Sequence, residues 1–288
     1  MNTKINVKEL RNQMEISIIS ELQTLLEGHQ EIPKDVYVVS TVQDPASEVY
    51  MRNKMKAIAK VGLNPIKKEF WENPLDTLQF VKDIVEGKIS CLGLIVQKPL
   101  ADALKPYERK IDNMIPRSKD IDQISLNYDE VYLEKIKEKM YPCTVWGSLE
   151  VISRLCPSLS GKTVLVIGRS EIVGKPLAVA LIEKQATVIS ANSRTPKETM
   201  QEMFRRADII VSAVGRPRIW GEEYLTSGKI LIDVGINRVD GKLCGDFDIS
   251  EETTFVEDIS YTPVPGGIGL MTVLGVQKNL LELAKLYL

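Results

Sequence analysis

Ser47, Tyr50 and Lys54 fall at i, i+3 and i+7 of one segment that runs from Asp44 to Ile58. Asp44 suits a helix N-cap and Pro45 the first helical position. At about 100° per residue, Met51, Met55 and Ile58 form an apolar stripe, with Arg52, Lys56 and Lys60 turned away as ordinary solvated cations. Lys54 lies roughly 70° from the stripe's centre, on a flank shared with Ser47, Tyr50 and Val61. An amine at an apolar margin, beside a phenol and a hydroxyl, is a candidate acid/base group, because burial disfavours its charged form and lowers its pKa towards a useful range. The competing reading is a snorkelling lysine with its stem on the core edge and its head in water. The rest of the chain favours the first.

A second group of candidates follows a strand. Thr163 to Ile167 leads into Gly168, Arg169, Ser170, Glu171, Ile172, Val173 and Gly174, just before a helix expected from Pro176. A strand, a glycine turn and a helix start present backbone N–H groups and the positive helix end to a diphosphate. The spacing is G-x₅-G rather than G-x-G-x-x-G, and glycines also close plain strand–helix turns, so the alternating elements around it carry the dinucleotide reading. An NAD site expects an acid at the end of the next strand, about 20 residues on. That strand ends at Asn192, Ser193, Arg194 and Thr195, and Arg169 waits in the glycine loop. Cations and hydroxyls there suit the 2′-phosphate of NADP; the alternative is a merely solvated Arg194. Two more turns, one with Gly215 and one with Ile236, fall at strand ends, where open α/β sheets bind ligands. The loop Thr262 to Gly269, with Pro263, Pro265 and glycines at 266, 267 and 269, is a shaped cleft wall.

The rest of the composition narrows the chemistry. His29 is the single histidine and sits in a turn after the first helix. A multi-histidine metal site is impossible, and a Ser-His-Asp triad would have to use His29. Proton chemistry then falls to lysine, tyrosine or carboxylate. None of Cys91, Cys143, Cys156 and Cys244 sits in a C-x₂-C pair, so zinc ribbons and redox pairs are disfavoured and reduced, buried thiols are expected. With 44% hydrophobic and 26% charged residues over 288 positions, the chain is an ordinary globular protein with room for a sizeable core. A net charge of −2 makes no case for nucleic acid or anionic membrane as partner. No apolar run is long enough to span a bilayer, and the first 18 residues mix charges without an apolar signal core. The expected location is the cytoplasm.

The elements that must position these residues alternate. Residues 5–27 read as an amphipathic helix, followed by a strand at 36–41, the Lys54 helix ending near Gly62, a strand at 65–70, a helix at 74–87 and a strand at 91–96. A polar, irregular stretch covers 115–127, and the charged stretch 129–140 reads as a surface helix. A helix at 143–155 opens a second series: strands at 163–167, 187–191, 209–214 and 230–234, helices at 176–184 and 270–286. This alternation predicts an α/β protein with mostly parallel sheets. The expected domains are 1–141 joined by a returning helix 270–288, and 142–269. With no flexible linker between them, two rigidly joined lobes are expected, with the default site in the cleft between.

Together these residues resemble the bifunctional methylenetetrahydrofolate dehydrogenase/methenyltetrahydrofolate cyclohydrolases, from about Val36 to Ala284. The resemblance rests on Asp44-Pro-Ala-Ser47 with Tyr50 and Lys54, Val96-Gln97-x-Pro99-Leu100, Lys119-Asp120-Ile-Asp122, Pro142-Cys-Thr144, Gly168-Arg-Ser170 with Gly174 and Pro176, Asp233-Val-Gly-Ile-Asn237, and Thr262-Pro-Val-Pro-Gly-Gly-x-Gly269 with Met271 and Thr272. No single piece is specific; their order and spacing are. The resemblance implies a two-lobed α/β enzyme whose N-terminal domain is catalytic and whose second, Rossmann-type domain binds NADP. It implies a role for Lys54 as the catalytic lysine, Gln97 as its partner, Tyr50 as a ring stacked on the substrate and Asp120 as the pterin's hydrogen-bond partner. Ser47 and Gly269 complete the implied folate set. Gly168, Arg169, Ser170, Ile172, Ser193, Arg194, Gly215, Ile236 and Thr272 form the implied NADP set, with Arg169 and Ser193 on the 2′-phosphate. It further implies a homodimer, no metal, and a place in one-carbon metabolism and purine biosynthesis.

The sequence departs from the family pattern at Lys98, Ala101, Gln123, Val145 and Leu270, where a leucine, a proline, a glycine and two further prolines are usual. Lys98 matters most. It either acts electrostatically on Lys54, or binds an anionic substrate tail, or points outward and does neither. The expected reactions are oxidation of 5,10-methylenetetrahydrofolate with NADP and hydrolysis of the methenyl product to 10-formyltetrahydrofolate. The rivals are a weakened folate-binding or regulatory homologue, favoured by those departures, and a shikimate-type NADP dehydrogenase, disfavoured by the Ser47–Lys54 helix and the 262–269 loop.

Overall fold

A computed structural model describes residues 2–127, 135 and 139–288. The chain divides into two compact units: a lysine unit of Gln13–Cys143 with Val273–Leu288, and a glycine-loop unit of the residues up to Asn12 with Thr144–Thr272. The expected domains put the N-terminal residues with the lysine unit, and the structure places residues 2–12 in the other. The reason is a strand pairing that a two-residue segment cannot announce. Thr3–Lys4 (β1) lies parallel to Ser260–Tyr261 (β11), and Asn2 donates to Val256 O at 3.0 Å while accepting from Ile259 N at 3.2 Å.

The chain enters the lysine unit at Gln13, within Val7–Gly28 (α1), and runs through Asp35–Ser40 (β2), Pro45–Lys60 (α2), Asn64–Glu69 (β3) and Asp76–Val85 (α3) to Gly93–Val96 (β4). The sheet is parallel, in the order β3-β2-β4, with Val38 opposite both Lys67 and Ile95. Every residue of β4 is buried, as expected for a strand covered on both faces. A 3-10 turn at Asp102–Tyr107 and a short helix, Glu108–Met114 (α4), follow; the sequence showed neither, because Pro106 interrupts the periodicity and both are too short to establish one. The charged helix expected at 129–140 lies largely outside the described residues.

α2 begins as its sequence dictates. Asp44 accepts a hydrogen bond from Ser47 N at 2.7 Å and Pro45 takes the first position, a cap that contributes about 1 kcal/mol. The helix stops at Val61, and Gly62 follows at φ +87°. Its buried face is Ser47, Met51, Lys54, Ala57, Ile58 and Val61, with Met55 only half-buried. Lys54 therefore stands near the middle of the buried face and not on its flank. Neighbouring segments choose that face, so hydrophobicity alone centred it wrongly.

The glycine-loop unit holds Cys143–Leu155 (α5) from Thr144 on, Thr163–Ile167 (β5), Gly174–Glu183 (α6), Thr187–Ala191 (β6), Lys197–Arg206 (α7), Ile209–Ser212 (β7) and Ile230–Asp233 (β8). A small antiparallel hairpin, Asn237–Val239 (β9) and Lys242–Cys244 (β10), precedes β11, and Ile268–Lys285 (α8) closes the chain. The six-stranded sheet runs β1-β11-β8-β7-β5-β6, all parallel. After β6 at one edge the chain crosses back to β7, on the other side of β5. That reversal is a topological switch point, where ligands sit outside the carboxyl ends of the strands. Beneath it, Phe204, Trp220 and Tyr224 pack ring against ring at 5.0–5.3 Å, anchoring α7 against the core. Among the described residues no helix is long and apolar enough to cross a membrane.

Candidate active site

Lys54 is buried, with 7% of its surface exposed. Its ammonium donates to both carboxylate oxygens of Asp122, each at 3.0 Å. Two-point contact of this kind is the strong form of an ion pair. The resemblance implies a role for Asp120, two residues earlier, and none for Asp122. The structure sets Asp122, and not Asp120, against the lysine. Asp120 is 2% exposed, and its oxygens accept from Gln123 N at 3.0 Å and Ser125 N at 2.7 Å. Its carboxyl braces its own loop. Burial pushes its pKa up to about 7; the Ser125 amide opposes this and the Asp122 charge adds to it. Alternate residues of an extended segment point opposite ways, so one of the two acids had to face inward, and sequence alone did not say which.

Gln97 was expected to partner Lys54. Its Nε2 donates instead to the Lys98 carbonyl at 2.8 Å, and its Oε1 is buried without a partner among the described residues. Ser47 Oγ donates to the same carbonyl at 3.4 Å, so Ser47 and Gln97 converge on one backbone atom at the end of β4. Tyr50 lies close enough to feel Lys54: burial raises its phenol pKa and the lysine's charge opposes the shift. Lys98 is neither outward nor free to bind an anion. Its Nζ meets Asp112 at 2.8 Å and Glu108 at 3.0 Å, both on α4. Burial raises the Asp112 pKa against the pull of Lys98, with the charges of Glu108 and Asp122 adding to the rise.

Two further groups hold Asp122 in place, and neither was visible as such in the sequence. Asn279 on α8 donates to Ile121 O at 2.8 Å and to Tyr141 O at 3.1 Å. The Cys143 thiol lies 3.5 Å from Ile121 O and 3.8 Å from Asp122 Oδ1. Burial first, and then the Asp122 charge, raise the thiol's pKa well above its usual range, so it stays a neutral S–H beside the carboxylate. Gln123, standing for the family's glycine, adopts φ +54°, and its side chain donates to Arg117 O at 2.9 Å and to Asp120 O. A non-glycine residue tolerates this left-handed conformation at a cost of about 1–2 kcal/mol, which these bonds offset.

In the other unit, the expected cofactor residues gather along the carboxyl ends of adjacent strands. Gly168 follows β5, Ser193 and Arg194 follow β6, Gly215 follows β7 and Ile236 follows β8. Gly168 is at φ +119°, and a Cβ there would lie 2.5 Å from Ala213 O; a Cβ on Gly174 would collide with Gly168 O. The glycine loop thus lies flat against the β7 turn at the switch point, beside the positive end of the α6 dipole. Ser170 Oγ accepts from Val173 N at 3.2 Å and Gly174 N at 3.4 Å, closing the loop. Arg169, Ser170, Ile172, Ser193 and Arg194 are exposed. Asn192 Oδ1 accepts from Arg194 N at 3.0 Å, which holds the Ser193–Arg194 turn. These residues fit a dinucleotide with an added phosphate: a cradle without side chains, a helix start, and exposed hydroxyl and guanidinium groups at the end of β6. Gly269, expected in the folate set, lies in this unit, where its Cβ position is 3.5 Å from Ile236 Cδ1. Thr272 Oγ1 donates to Ile268 O at 3.1 Å and to Thr144 Oγ1 at 3.2 Å.

Residues 5–122 match the family model for the tetrahydrofolate dehydrogenase/cyclohydrolase catalytic domain, and residues 142–288 match that for its NAD(P)-binding domain. The chain belongs to the tetrahydrofolate dehydrogenase/cyclohydrolase family. A bifunctional protein FolD of Rickettsia massiliae is 36% identical over 291 residues, covering 99% of this chain and 97% of its own. The crystal structure of the bifunctional FolD dehydrogenase/cyclohydrolase from Campylobacter jejuni superposes with a TM-score of 0.86 at 28% identity, over 100% of both chains. The Trypanosoma brucei FolD, solved with NADP cofactor and inhibitor, gives 0.84 at 26% identity, covering 99% of this chain and 97% of that one. Both domains of the family are thus present in one chain, and nothing in these likenesses favours a shikimate-type enzyme or a regulatory homologue. Within the tetrahydrofolate dehydrogenase/cyclohydrolase frame, the departures at Lys98 and Gln123 are met by partners of this chain's own.

Proposed function

We propose that this enzyme oxidises 5,10-methylenetetrahydrofolate with NADP and hydrolyses the methenyl product to 10-formyltetrahydrofolate, with Lys54 and Asp122 as its catalytic pair. The observation that carries this reading is the buried, two-point Lys54–Asp122 ion pair in a domain of this family. NADP, when bound, accepts the hydride. Gly168 and the start of α6 would hold its diphosphate, and Arg169, Ser193 and Arg194 would hold the 2′-phosphate. Gly215, Ile236 and Thr272 border the rest of it.

In the lysine unit, Tyr50 stacks on the pterin, and Ser47 and Gln97 set the wall around the Lys98 carbonyl. Hydrolysis needs a proton removed from the attacking water and a proton delivered to N5 as its bond to the one-carbon unit breaks. A carboxylate and an ammonium held together supply an acceptor and a donor at one point. Asp122 takes the pterin-facing place that resemblance assigned to Asp120. The 10-formyl product feeds one-carbon transfer, including purine biosynthesis, and the enzyme works as a cytoplasmic homodimer; the pathway and the homodimer rest on family resemblance, and the location on the sequence.

The experiment is methenyl hydrolysis by Lys54→Met and Asp122→Asn. Methionine fills the lysine stem's volume without a proton-transfer group, so both variants fold and lose at least about a hundredfold in hydrolysis, the usual scale of general acid–base catalysis. Wild-type hydrolysis in either variant sinks the assignment.

A further inference from the structure

The dehydrogenase half of the enzyme carries a buried carboxylate that its chemistry does not use. Asp246 follows β10 and has no exposed surface. Its Oδ2 accepts from Ser212 Oγ at 2.7 Å, Val214 N at 2.9 Å and Gly215 N at 3.2 Å. Its Oδ1 accepts from Arg216 N at 3.0 Å and Asn237 Nδ2 at 3.1 Å. One side chain therefore holds the end of β7, the whole turn that follows it, and the residue after Ile236.

Asp233, the last residue of β8, is interlocked with it. Asp233 Oδ1 accepts from Gly235 N at 3.0 Å and from the backbone N of Asp246 itself at 3.1 Å, while Oδ2 accepts from Phe247 N at 3.0 Å. A Cβ on Gly235 would strike the Asp246 carboxylate, and one on Gly245 would strike that of Asp233. Each glycine is small because the other acid needs the space. Gly215 itself is exposed at φ +68°, and a Cβ there would meet open space.

We infer that Asp246 is a positioning residue for NADP: it pre-forms the 213–216 turn and orients Asn237, so that Gly215 and Ile236 are in place before the cofactor arrives. The inference rests on the proposed reading of Gly215 and Ile236 as cofactor contacts. A backbone turn with three N–H donors directed inward to one carboxylate gives up little disorder on binding, and preorganisation of this kind appears as affinity. An asparagine at 246 keeps the shape, but its NH₂ faces N–H donors and forfeits the bonds on one oxygen.

The test is Asp246→Asn, assayed for the KM of NADP, the KM of the folate substrate and kcat at saturating cofactor. The expected result is a rise of about tenfold or more in the KM of NADP, with the folate KM and the saturated kcat within about threefold, which is the pattern of lost cofactor binding. Methenyl hydrolysis, which uses no cofactor, checks the lysine unit in the same sample. An unchanged KM for NADP with a lowered melting temperature overturns the inference and leaves Asp246 as a structural brace. If Asp246→Asn does not fold, Asn237→Ala removes a single donor and is expected to raise the KM of NADP about threefold; no rise overturns the inference as well. Gly215→Asn separates the two readings. Asparagine tolerates φ +68° and projects a side chain where the cofactor would lie. NADP binding unaffected by Gly215→Asn means that the turn does not face the cofactor. Binding weakened by Gly215→Asn but not by Asp246→Asn means that the site stands and Asp246 does not position it.

Discussion

Asp122 and Asp120 are two residues apart and do opposite work. One grips Lys54 through both oxygens, and the other grips the amides of its own loop. Lys98 is a second case in which the partner defines the residue. Its ion pairs with Asp112 and Glu108 hold it on α4, with only 18% of its side chain exposed. Lys98→Leu should therefore act on stability before it acts on the pH dependence of hydrolysis. It leaves the partly buried Asp112 without its cation, at a cost of about 1–3 kcal/mol, somewhat below that of a fully buried pair. The double variant Lys98→Leu/Asp112→Leu should recover most of that loss, since replacing a whole pair by apolar groups is often neutral. Chemical denaturation of the three variants reads this; a single variant as stable as wild type would make Lys98 an ordinary surface lysine. Arg169→Ala should reduce kcat/KM for NADP far more than for NAD, because only NADP carries the 2′-phosphate. Equal losses with both cofactors would assign Arg169 to the diphosphate or to the fold.

α8 illustrates what an element contributes beyond its own helix. It is the last segment of the chain, yet Asn279 fastens Ile121 and Tyr141, which flank Asp122 and Cys143, and Gln277 donates to Ala57 O on α2 at 3.0 Å. One helix thus braces both members of the Lys54–Asp122 pair. Asn279→Ala leaves one buried and one partly buried carbonyl without that donor, and should lower stability by about 1–3 kcal/mol. It should also lower kcat for methenyl hydrolysis by about tenfold with less change in KM, since a small displacement of a catalytic group is felt mainly in the transition state. A variant that is destabilised but hydrolyses at the wild-type rate would confine Asn279 to the fold.

For the molecule as a whole, two acids set a pH dependence. Burial raises Asp120 and Asp233 from 3.8 to about 7 each. In both, backbone N–H donors pull the other way and a neighbouring acid, Asp122 or Asp246, adds to the rise. With folded pKa values above the unfolded ones, the native state binds more protons between pH 4 and 7. The stability these groups contribute is complete below about pH 4 and is lost as the pH rises through about 7. Between pH 5 and 8, Asp120→Asn should therefore show a shallower fall of its melting midpoint than wild type, even if its midpoint is lower at every pH. A steeper fall in the variant would contradict the assigned burial of Asp120.

The alternation of strands and helices, the Asp44 cap, the glycine loop and the missing acid after β6 were all legible in the sequence, because each is a local pattern of a few consecutive residues. α7 and the β9–β10 hairpin escaped notice because their segments are short and mostly polar, and α7 is anchored by Phe204 packing on Trp220 and Tyr224, which lie 16 and 20 positions further on. The chemistry-bearing residues Tyr50, Lys54 and Arg169 could be named from type and spacing. Their partners could not. Which face of α2 is buried, which of Asp120 and Asp122 meets the lysine, what neutralises Lys98, and what holds the Gly215 turn were decided by contacts between residues 14 to 158 positions apart. A side chain's direction follows from its neighbours in space, and a single sequence records only its neighbours along the chain.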